Sequence, residues 1–193
     1  FIYQGQEIGM TNNEFESIDE IDDISTKDEY KVALKAGYSP EEALKIVSKY
    51  SRDNARTPFQ WDDSENAGFT TGNPWLVVNK NYREINAKNQ INDENSLLSY
   101  YKKLIRLRKN EEYKETIVYG EFVPVYREYN NVLAFYRKGE DKTLLIIANY
   151  QSKDIELPFL HQNNKVLINN YDSLKMDDGT IVLKPYQAVV LDV

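Results

Sequence analysis

The spacing of hydrophobic and polar residues changes once along this chain of 193 residues. From residue 1 to about residue 112 the sequence is polar and rich in loop-forming residues, with a few stretches that follow the 3.6-residue period of helices. From residue 113 to residue 193 the period becomes 2, and the hydrophobic stretches are short. The pattern therefore predicts a partly helical region followed by a region of short strands.

Capping signals predict two short helices, over residues 27–36 and 40–50. Each is preceded by a capping box, in which a hydroxyl and a glutamate three residues later bind each other's backbone amide. The two boxes are Thr26–Glu29 and Ser39–Glu42. Gly37 stands where the first helix should end, because glycine readily takes the left-handed conformation of a helix terminus.

A third helix is predicted over residues 96–109 from its hydrophobic stripe. The stripe recurs at intervals of three and four residues, as in a helix packed on one side, and the basic residues at its end suit the helix dipole. From Arg52 to Pro74 the many Gly, Pro, Asn and Asp residues indicate an irregular loop. The positions of the stripe are Leu97, Leu98, Tyr101, Leu104, Ile105 and Arg108.

Short strands dominate residues 113–193, separated by turn-forming residues such as Asp177-Asp178-Gly179. Several short strands at this spacing predict an antiparallel β-sandwich, in which Leu144–Ala148, the most apolar strand, should be central. The predicted fold class is mainly β, with a C-terminal antiparallel β-sandwich after the partly helical region. The predicted strands are 117–119, 121–127, 132–137, 143–149, 154–157, 165–169, 180–183 and 188–193.

The chain opens on an apolar triplet, Phe1-Ile2-Tyr3, that becomes polar at Gln4. A buried parallel strand that opens into a loop has this pattern. The sequence has no initiator methionine and starts within the apolar triplet. We therefore expect it to be a fragment whose first strand belongs to a larger sheet.

Composition disfavours several classes of protein. The formal net charge is −7 and the pI is near 4.9, which argues against nucleic acid as a partner because phosphate contacts need clustered Lys and Arg. No apolar run approaches the ~20 residues of a membrane span. Without Cys the chain has no disulfide and no thiolate zinc site, and its single histidine, His161, cannot form a metal site by itself. We expect no cofactor and no metal, and a cytoplasmic location fits this composition.

The acidic stretch from Glu14 to Asp23 resembles a calcium loop or a pair of catalytic carboxylates only superficially. It lacks the turn glycine and the spaced ligands of a calcium loop. Glycoside hydrolysis needs one carboxyl group with a raised pKa beside an ionised one, held a few ångströms apart. We therefore interpret the stretch as an exposed loop.

The run Ser51–Asp62 places Arg52 and Arg56 four residues apart, beside Asp53. Arginine binds carboxylates through paired hydrogen bonds and binds sugar hydroxyls in a directed way. On spacing alone, ion pairs of Arg52 with Asp53 and of Arg56 with Asp62 would lock an irregular loop. Substrate binding is the alternative.

Aromatic residues follow in the same region. Their rings stack on the apolar faces of sugars, but loops also need buried anchors, and the residue pattern by itself favours anchors. These residues are Trp61, Phe69, Trp75 and Tyr82.

Several motifs resemble the oligo-1,6-glucosidase and α-glucosidase branch of the α-amylase superfamily, glycoside hydrolase family 13. The resemblance runs in one order through nearly the whole chain. Phe59 stands in the arginine motif where Met is more usual in that branch. The matching motifs are Phe1–Asn12, Ser51–Asp62, Ala67–Thr70, Pro74–Asn79 and Leu104–Lys109.

The resemblance implies a (β/α)₈ barrel followed by an antiparallel β-sandwich. Residues 1–112 would be the end of the catalytic barrel, with its last strand, a long loop segment and the closing helix, and residues 113–193 would be the sandwich. Barrel active sites lie at the C-terminal ends of the strands. Gln4, Glu7 and the 51–62 loop are therefore expected at the rim of the substrate pocket.

The resemblance also implies a parent enzyme that is a retaining α-glucosidase, acting on α-1,6 or α-1,4 bonds of short gluco-oligosaccharides. Arg52 and Arg56 are the expected substrate-binding residues. No catalytic residue is expected in this chain, because the family's catalytic carboxylates lie on earlier barrel strands. We expect the fragment to be inactive by itself. Without the missing N-terminal barrel, residues 1–95 are expected to be partly disordered or self-associated.

Other functions stay open at this stage. Trehalose-6-phosphate hydrolase, dextran glucosidase and sucrose isomerase share these motifs within the enzyme class. Outside it, the sandwich is a candidate glucan-binding or purely structural module. Glucan binding would need a row of exposed aromatic residues on one face, whereas the period of 2 splits the candidates between faces, which favours the structural role. The candidates are Tyr119, Tyr126, Tyr129 and Tyr136.

Overall fold

The computed structural model describes residues 1–177 and 179–193. The chain divides into two compact units, Phe1–Tyr101 and Lys102–Val193, called the first and second units below. No helix in the described residues is both long and apolar enough to cross a membrane. The α-helices are α1 (Ile24–Lys35), α2 (Pro40–Ser48), α3 (Ala87–Gln90), α4 (Leu97–Lys109) and α5 (Lys114–Tyr119). The strands are β1 (Glu121–Pro124), β2 (Val132–Lys138), β3 (Thr143–Asn149), β4 (Ile155–Pro158), β5 (Lys165–Asn169), β6 (Lys175–Asp177), β7 (Thr180–Leu183) and β8 (Ala188–Asp192).

Helix α2 begins as the sequence predicts. The hydroxyl of Ser39 accepts a hydrogen bond from the amide of Glu42 at 3.3 Å, and the Glu42 carboxylate accepts one from the amide of Ser39 at 3.0 Å. This capping box satisfies amides that the start of a helix leaves without partners. The helix buries Ala43 and Val47. The other buried apolar side chains of the first unit are Ile8, Phe15, Ile21, Ala67 and Leu76.

Helix α1 begins at Ile24, earlier than predicted. The predicted capping box at Thr26 does not form, because the Thr26 hydroxyl is buried and donates to Asp23 Oδ2 at 2.7 Å. Asp23 instead occupies the N-cap position. The predicted end of the helix is confirmed, since Gly37 has a φ of 96° just beyond the last turn.

The strand predicted at Phe1–Tyr3 does not form. These residues lie outside any strand, and their side chains are exposed. A strand requires a hydrogen-bonded neighbour, and within the described part of the chain no strand pairs with this segment. A 3-10 turn follows at Gln6–Ile8.

Two antiparallel sheets form the second unit, as the sequence predicts. One has five strands in the order β1-β2-β3-β8-β5, and the other has three in the order β4-β7-β6. Strand β3 pairs with β2 on one side and with β8 on the other. The most apolar predicted strand is therefore central.

The core of the second unit lies between the two sheets. In the five-stranded sheet Ala134 stands opposite Ile147, and Leu145 stands opposite Leu191. Because side chains alternate between the faces of a strand, the buried members share one face, and the two inner faces pack together as in a β-sandwich. The buried cluster consists of Ala134, Leu145, Ile147, Leu157, Phe159, Ile181, Leu183, Val189 and Leu191.

Three elements of the second unit differ from the prediction. The strand predicted over residues 121–127 ends at Pro124. Residues 117–119 form the end of helix α5, not a strand. Their β-branched side chains favour a strand locally, but the amide of Ile117 bonds to the carbonyl of Tyr113 at 2.9 Å, as in a helix. Strand β6, which pairs with β7, was not predicted. Asp178, in the predicted turn before β7, lies outside the described residues.

Candidate functional site

The arginine loop, residues 51–62, begins just after α2 in the first unit. The hydroxyl of Ser51 accepts a hydrogen bond from the amide of Asp53 at 3.3 Å, and Arg52–Ala55 form a 3-10 turn. Short side chains that bind a nearby amide commonly start such turns. The first part of the predicted irregular loop is therefore a capped turn.

The guanidinium of Arg52 binds Asp23, not Asp53 as the spacing alone suggested. Its Nε and Nη2 donate to Asp23 Oδ1 at 3.0 and 2.6 Å, and Nη2 also donates to Ser25 Oγ at 3.2 Å. The Arg52 side chain is 61% exposed and that of Asp23 only 3%. The pair thus joins a buried carboxylate to an exposed guanidinium.

Both members of this pair are held in their charged forms. The hydrogen bond from Arg52 keeps the pKa of Asp23 well below its ordinary value, and the Thr26 hydroxyl acts in the same direction, while burial opposes them. The same contact raises the pKa of Arg52. A hydrogen bond to the charged form of a group stabilises that form, so the pair stays ionised at neutral pH.

Arg56 binds the other buried carboxylate, that of Asp53. Its Nη1 donates to Asp53 Oδ1 at 3.2 Å. The second oxygen, Oδ2, accepts the backbone amides of Asp22 and Asp23 at 2.6 and 2.9 Å. Asp53 is fully buried, whereas the Arg56 side chain is 42% exposed. Asp53 therefore ties the arginine loop to the start of α1.

Asp62 does not pair with Arg56, in contrast to the ion pair that spacing suggested. Its carboxylate accepts hydrogen bonds from the amide of Ser64, at 2.8 Å, and from the Ser64 hydroxyl. The amides of Trp61 and Asp62 both bond to the carbonyl of Ala67, at 2.9 and 3.1 Å. These contacts close a local bend instead of locking the two arginines.

A cleft of about 480 Å³ lies beside the arginine loop in the first unit. Gln4, one of the residues predicted at a pocket rim, lines this cleft together with Ser51. Glu7, Arg52 and Arg56 do not line it. One carboxylate oxygen of Glu7 is buried without a hydrogen-bond partner in the described residues. The structure thus brings Gln4 to the start of the loop and leaves both guanidinium groups outside the cleft.

The aromatic residues near the loop are more exposed than buried anchors would be. The exposed fractions are 55% for Trp61, 50% for Phe69 and 71% for Trp75. The interpretation as buried anchors is therefore wrong for these three side chains, while Tyr82 is half-buried. The ring of Trp61 contacts that of Phe59, with 4.5 Å between centroids.

Sequence reasoning missed Asp23. The interpretation of the stretch from Glu14 to Asp23 as an exposed loop is wrong at Phe15, Ile21 and Asp23, which are 8%, 1% and 4% exposed. An acidic residue directly before a helix is a typical N-cap, and this signal would have separated Asp23 from the loop. Among the described residues no group of three or more His, Cys, Asp or Glu could hold a metal ion.

Comparison with known families identifies the chain. The family described as "Alpha amylase, catalytic domain" matches residues 1–120. The chain belongs to the alpha-amylase family. A second alpha-amylase model, the SusG C-terminal domain, matches residues 132–190, all of which lie in the second unit. The family inferred from the motifs is thereby confirmed.

Individual members of the alpha-amylase family resemble the chain over nearly its whole length. It is 45% identical over 195 residues to an oligo-1,6-glucosidase of Bacillus cereus, covering 98% of this chain and 34% of that protein. The structure of trehalose-6-phosphate hydrolase from Bacillus licheniformis matches with a TM-score of 0.90 and 38% identity, covering 99% of this chain and 35% of that one. The structure of isomaltulose synthase from Klebsiella sp. LX3 matches with a TM-score of 0.84 and 37% identity, covering 100% of this chain and 35% of that one. The chain thus spans about a third of the length of these relatives.

Proposed function

We propose that this chain is the substrate-binding C-terminal part of a retaining α-glucosidase that hydrolyses α-1,6 bonds of short gluco-oligosaccharides, with α-1,4 bonds as the alternative linkage. Residues 1–112 are the end of the catalytic barrel, and residues 113–193 are its C-terminal β-sandwich domain. The match to an oligo-1,6-glucosidase at 45% identity supports the choice of linkage. The enzyme acts in the cytoplasm, with neither nucleic acid nor membrane as a partner, and cell fractionation tests this location.

The geometry of Arg52 carries the proposal. Asp23 and Ser25 engage Nε and Nη2 of its guanidinium, and Nη1 has no acceptor among the described residues. The side chain is 61% exposed. A fixed, charged group with free N–H donors at a surface is suited to hydrogen bonds with sugar hydroxyls. Arg56 is the second proposed substrate contact, since it is 42% exposed and anchored through Nη1.

The chemistry of bond cleavage requires more than this loop supplies. Retaining glycosidases use two carboxyl groups about 5–5.5 Å apart, one as nucleophile and one as acid and base. The carboxylates of the arginine loop are both committed to structural hydrogen bonds, Asp53 to Arg56 and Asp62 to Ser64. We therefore propose that this chain binds substrate and that the catalytic carboxylates come from the rest of the barrel. The chain alone should release no glucose from isomaltose.

A hybrid enzyme tests the role of the arginines. In it, this chain replaces the segment of the Bacillus cereus oligo-1,6-glucosidase with which it aligns. Arg52→Ala should lower kcat/KM for isomaltose about 10- to 100-fold, because a hydrogen bond from a charged group is worth roughly 1.5–3 kcal/mol. Arg56→Ala should act in the same direction. Lys45→Ala, at an exposed position on α2, should leave kcat/KM unchanged.

Two results would contradict the proposal. An Arg52→Ala hybrid with the same kcat/KM as the parent hybrid would remove the substrate role of that residue. Release of glucose from isomaltose by the chain alone, at a rate typical of enzymes, would show that catalytic groups are present in it.

The sandwich is proposed to have a structural role and not to bind glucan. Tyr126, Tyr129 and Tyr136 pack against the buried cluster between the sheets, which leaves no exposed row of the predicted tyrosines. Tyr119 alone among the four is mostly exposed, at 78%. Titration of the chain with isomaltotriose, followed by NMR, should leave the signals of the second unit unchanged.

A further inference from the structure

We propose that Asp23 is a positioning residue for Arg52, a buried carboxylate that holds one edge of the guanidinium so that the free Nη1 edge faces the sugar. The proposal rests on the proposed substrate role of Arg52 and adds the residue that sets its orientation. Asp23 belongs to the segment before α1 and lies 29 positions from Arg52 in sequence. Spacing within the arginine motif therefore does not reveal it.

The carboxylate of Asp23 is fixed independently of the arginine side chain. Its Oδ2 accepts the hydroxyl of Thr26 at 2.7 Å and makes a longer contact, 3.5 Å, with the backbone amide of Arg52. The residue is 4% exposed. Its other oxygen, Oδ1, receives both guanidinium contacts, from Nε and from Nη2. Oδ2 thus contacts a neighbouring hydroxyl and a backbone amide, whereas Oδ1 binds the guanidinium of Arg52.

The frame that carries both residues is also fixed. Asp53 is fully buried, and its Oδ2 accepts the amides of Asp22 and Asp23. These bonds hold the segment before α1 against the 3-10 turn that bears Arg52. The distance between the Asp23 carboxylate and the start of the Arg52 side chain is therefore set by contacts that do not involve the guanidinium.

A role in orientation follows from the unequal burial of the pair. When Asp23 loses its charge, the Arg52 guanidinium can be solvated by water because its side chain is 61% exposed. Removing the charge of Asp23 therefore leaves no uncompensated charge in the interior, unlike the loss of one member of a fully buried ion pair. Without this carboxylate, the long arginine side chain no longer keeps a single orientation. A misplaced binding group can lower the rate of an enzyme by a large factor.

The first test uses the chain itself. In an NMR spectrum of the arginine side chains, the Nε–Hε group of Arg52 should exchange slowly with water, because it is hydrogen-bonded to Asp23. Asp23→Asn should speed that exchange and shift the signal. Asp22→Asn changes the same charge one residue away, at an exposed side chain with no hydrogen bond or ion pair in the described structure, and should leave the signal unchanged. An Arg52 Nε–Hε signal that is the same in Asp23→Asn and in the original chain would overturn the proposal.

The second test is a double-mutant cycle in the hybrid enzyme described above. Asp23→Asn should lower kcat/KM for isomaltose about tenfold, mainly through KM. In the Arg52→Ala background the same substitution should have no further effect, because a positioning residue acts only through its partner. An equal effect of Asp23→Asn in both backgrounds would reject positioning in favour of a purely structural role.

The cycle separates the two proposals. A normal kcat/KM for Arg52→Ala would reject the substrate role of Arg52, and the positioning role with it. A large effect of Arg52→Ala with no effect of Asp23→Asn would reject the positioning role only. Asp23→Glu, which keeps the charge but lengthens the side chain, should give a kcat/KM between those of Asp23→Asn and the parent hybrid.

Discussion

The buried carboxylate of Asp53 accepts a hydrogen bond from the backbone amide of Asp23 at 2.9 Å, and the carboxylate of Asp23 in turn receives the guanidinium of the residue before Asp53. Each of the two segments therefore contributes an acid that the other segment binds. Buried carboxylates are costly unless hydrogen bonds surround them, and here each is satisfied only when both segments are in place. The arginine loop and the start of α1 should consequently form together or not at all.

Asp53→Asn should destabilise the first unit by about 1–3 kcal/mol, because the new amide nitrogen would face either the backbone amides or the guanidinium of Arg56. The free energy of unfolding can be measured with urea. Both tryptophans of the chain, Trp61 and Trp75, lie in the first unit, so tryptophan fluorescence follows that unit. The matched variant Asp22→Asn should change the value by less than about 0.5 kcal/mol. Equal losses for the two variants would show that the contacts of Asp53 add nothing.

The stability of the first unit should fall in acid partly through Asp23. The Arg52 hydrogen bond lowers the pKa of Asp23 in the folded state below its ordinary value of 3.8. Between the pKa of the folded state and that of the unfolded state, the unfolded state binds more protons. The stability that ionised Asp23 contributes is therefore complete above the ordinary pKa and is lost as the pH falls toward the pKa of the folded state. The stability difference between the original chain and Asp23→Asn, measured by urea and tryptophan fluorescence, should therefore shrink from about pH 5 to about pH 3. A difference that stays constant over this range would contradict the assignment.

Gly68 and Gly72 provide a paired test of the bend after the arginine loop. Gly68 has a φ of +66°, and an added Cβ would lie 2.7 Å from Asp62 Oδ1, whereas at Gly72 the nearest atom, Thr70 Oγ1, would be 3.8 Å away. Gly68→Ala should therefore cost about 1–3 kcal/mol in the free energy of unfolding. Gly72→Ala should be neutral within about 0.5 kcal/mol. The bend would be shown to tolerate side chains if both variants unfolded at the urea concentration of the original chain.

Ile147→Ala should destabilise the second unit by about 2–5 kcal/mol, because the side chain is fully buried between the sheets and its removal leaves a cavity. Leu133→Ala, on the neighbouring strand β2, removes a side chain that is 47% exposed and should cost much less. The second unit contains no tryptophan, so far-UV circular dichroism is the suitable probe. A loss for Leu133→Ala as large as that for Ile147→Ala would mean that the core lies elsewhere.

Elements with strong local signals were predicted well from the sequence. The start of α2 follows from Ser39 and Glu42, and the central position of β3 follows from its unbroken apolar run. These features depend on residues within a few positions of each other, or on how completely a strand is buried. The two-sheet arrangement followed because period-2 patterning and turn residues agree along the second unit.

Features that depend on distant partners were not predicted. Spacing paired Arg52 with Asp53, but the guanidinium binds Asp23, which folding brings from 29 positions away. Residues 117–119 have strand-forming side chains but pair with no strand in the described residues, and local hydrogen bonds make them helical. The apolar triplet Phe1–Tyr3 likewise pairs with no strand in the part of the chain that the structure describes. Residue preference is overridden in each case by what is available for hydrogen bonding.

The strand order of the larger sheet has a consequence for how the chain folds during its synthesis. Strand β5 pairs in that sheet only with β8, which is synthesised later. One edge of β3 also has no partner until β8 pairs with it. Until residues 188–192 leave the ribosome, two rows of backbone groups have no partner and are open to pairing with other chains. Any delay in the pairing of β8 would therefore lengthen exposure to chaperones, proteases and aggregation.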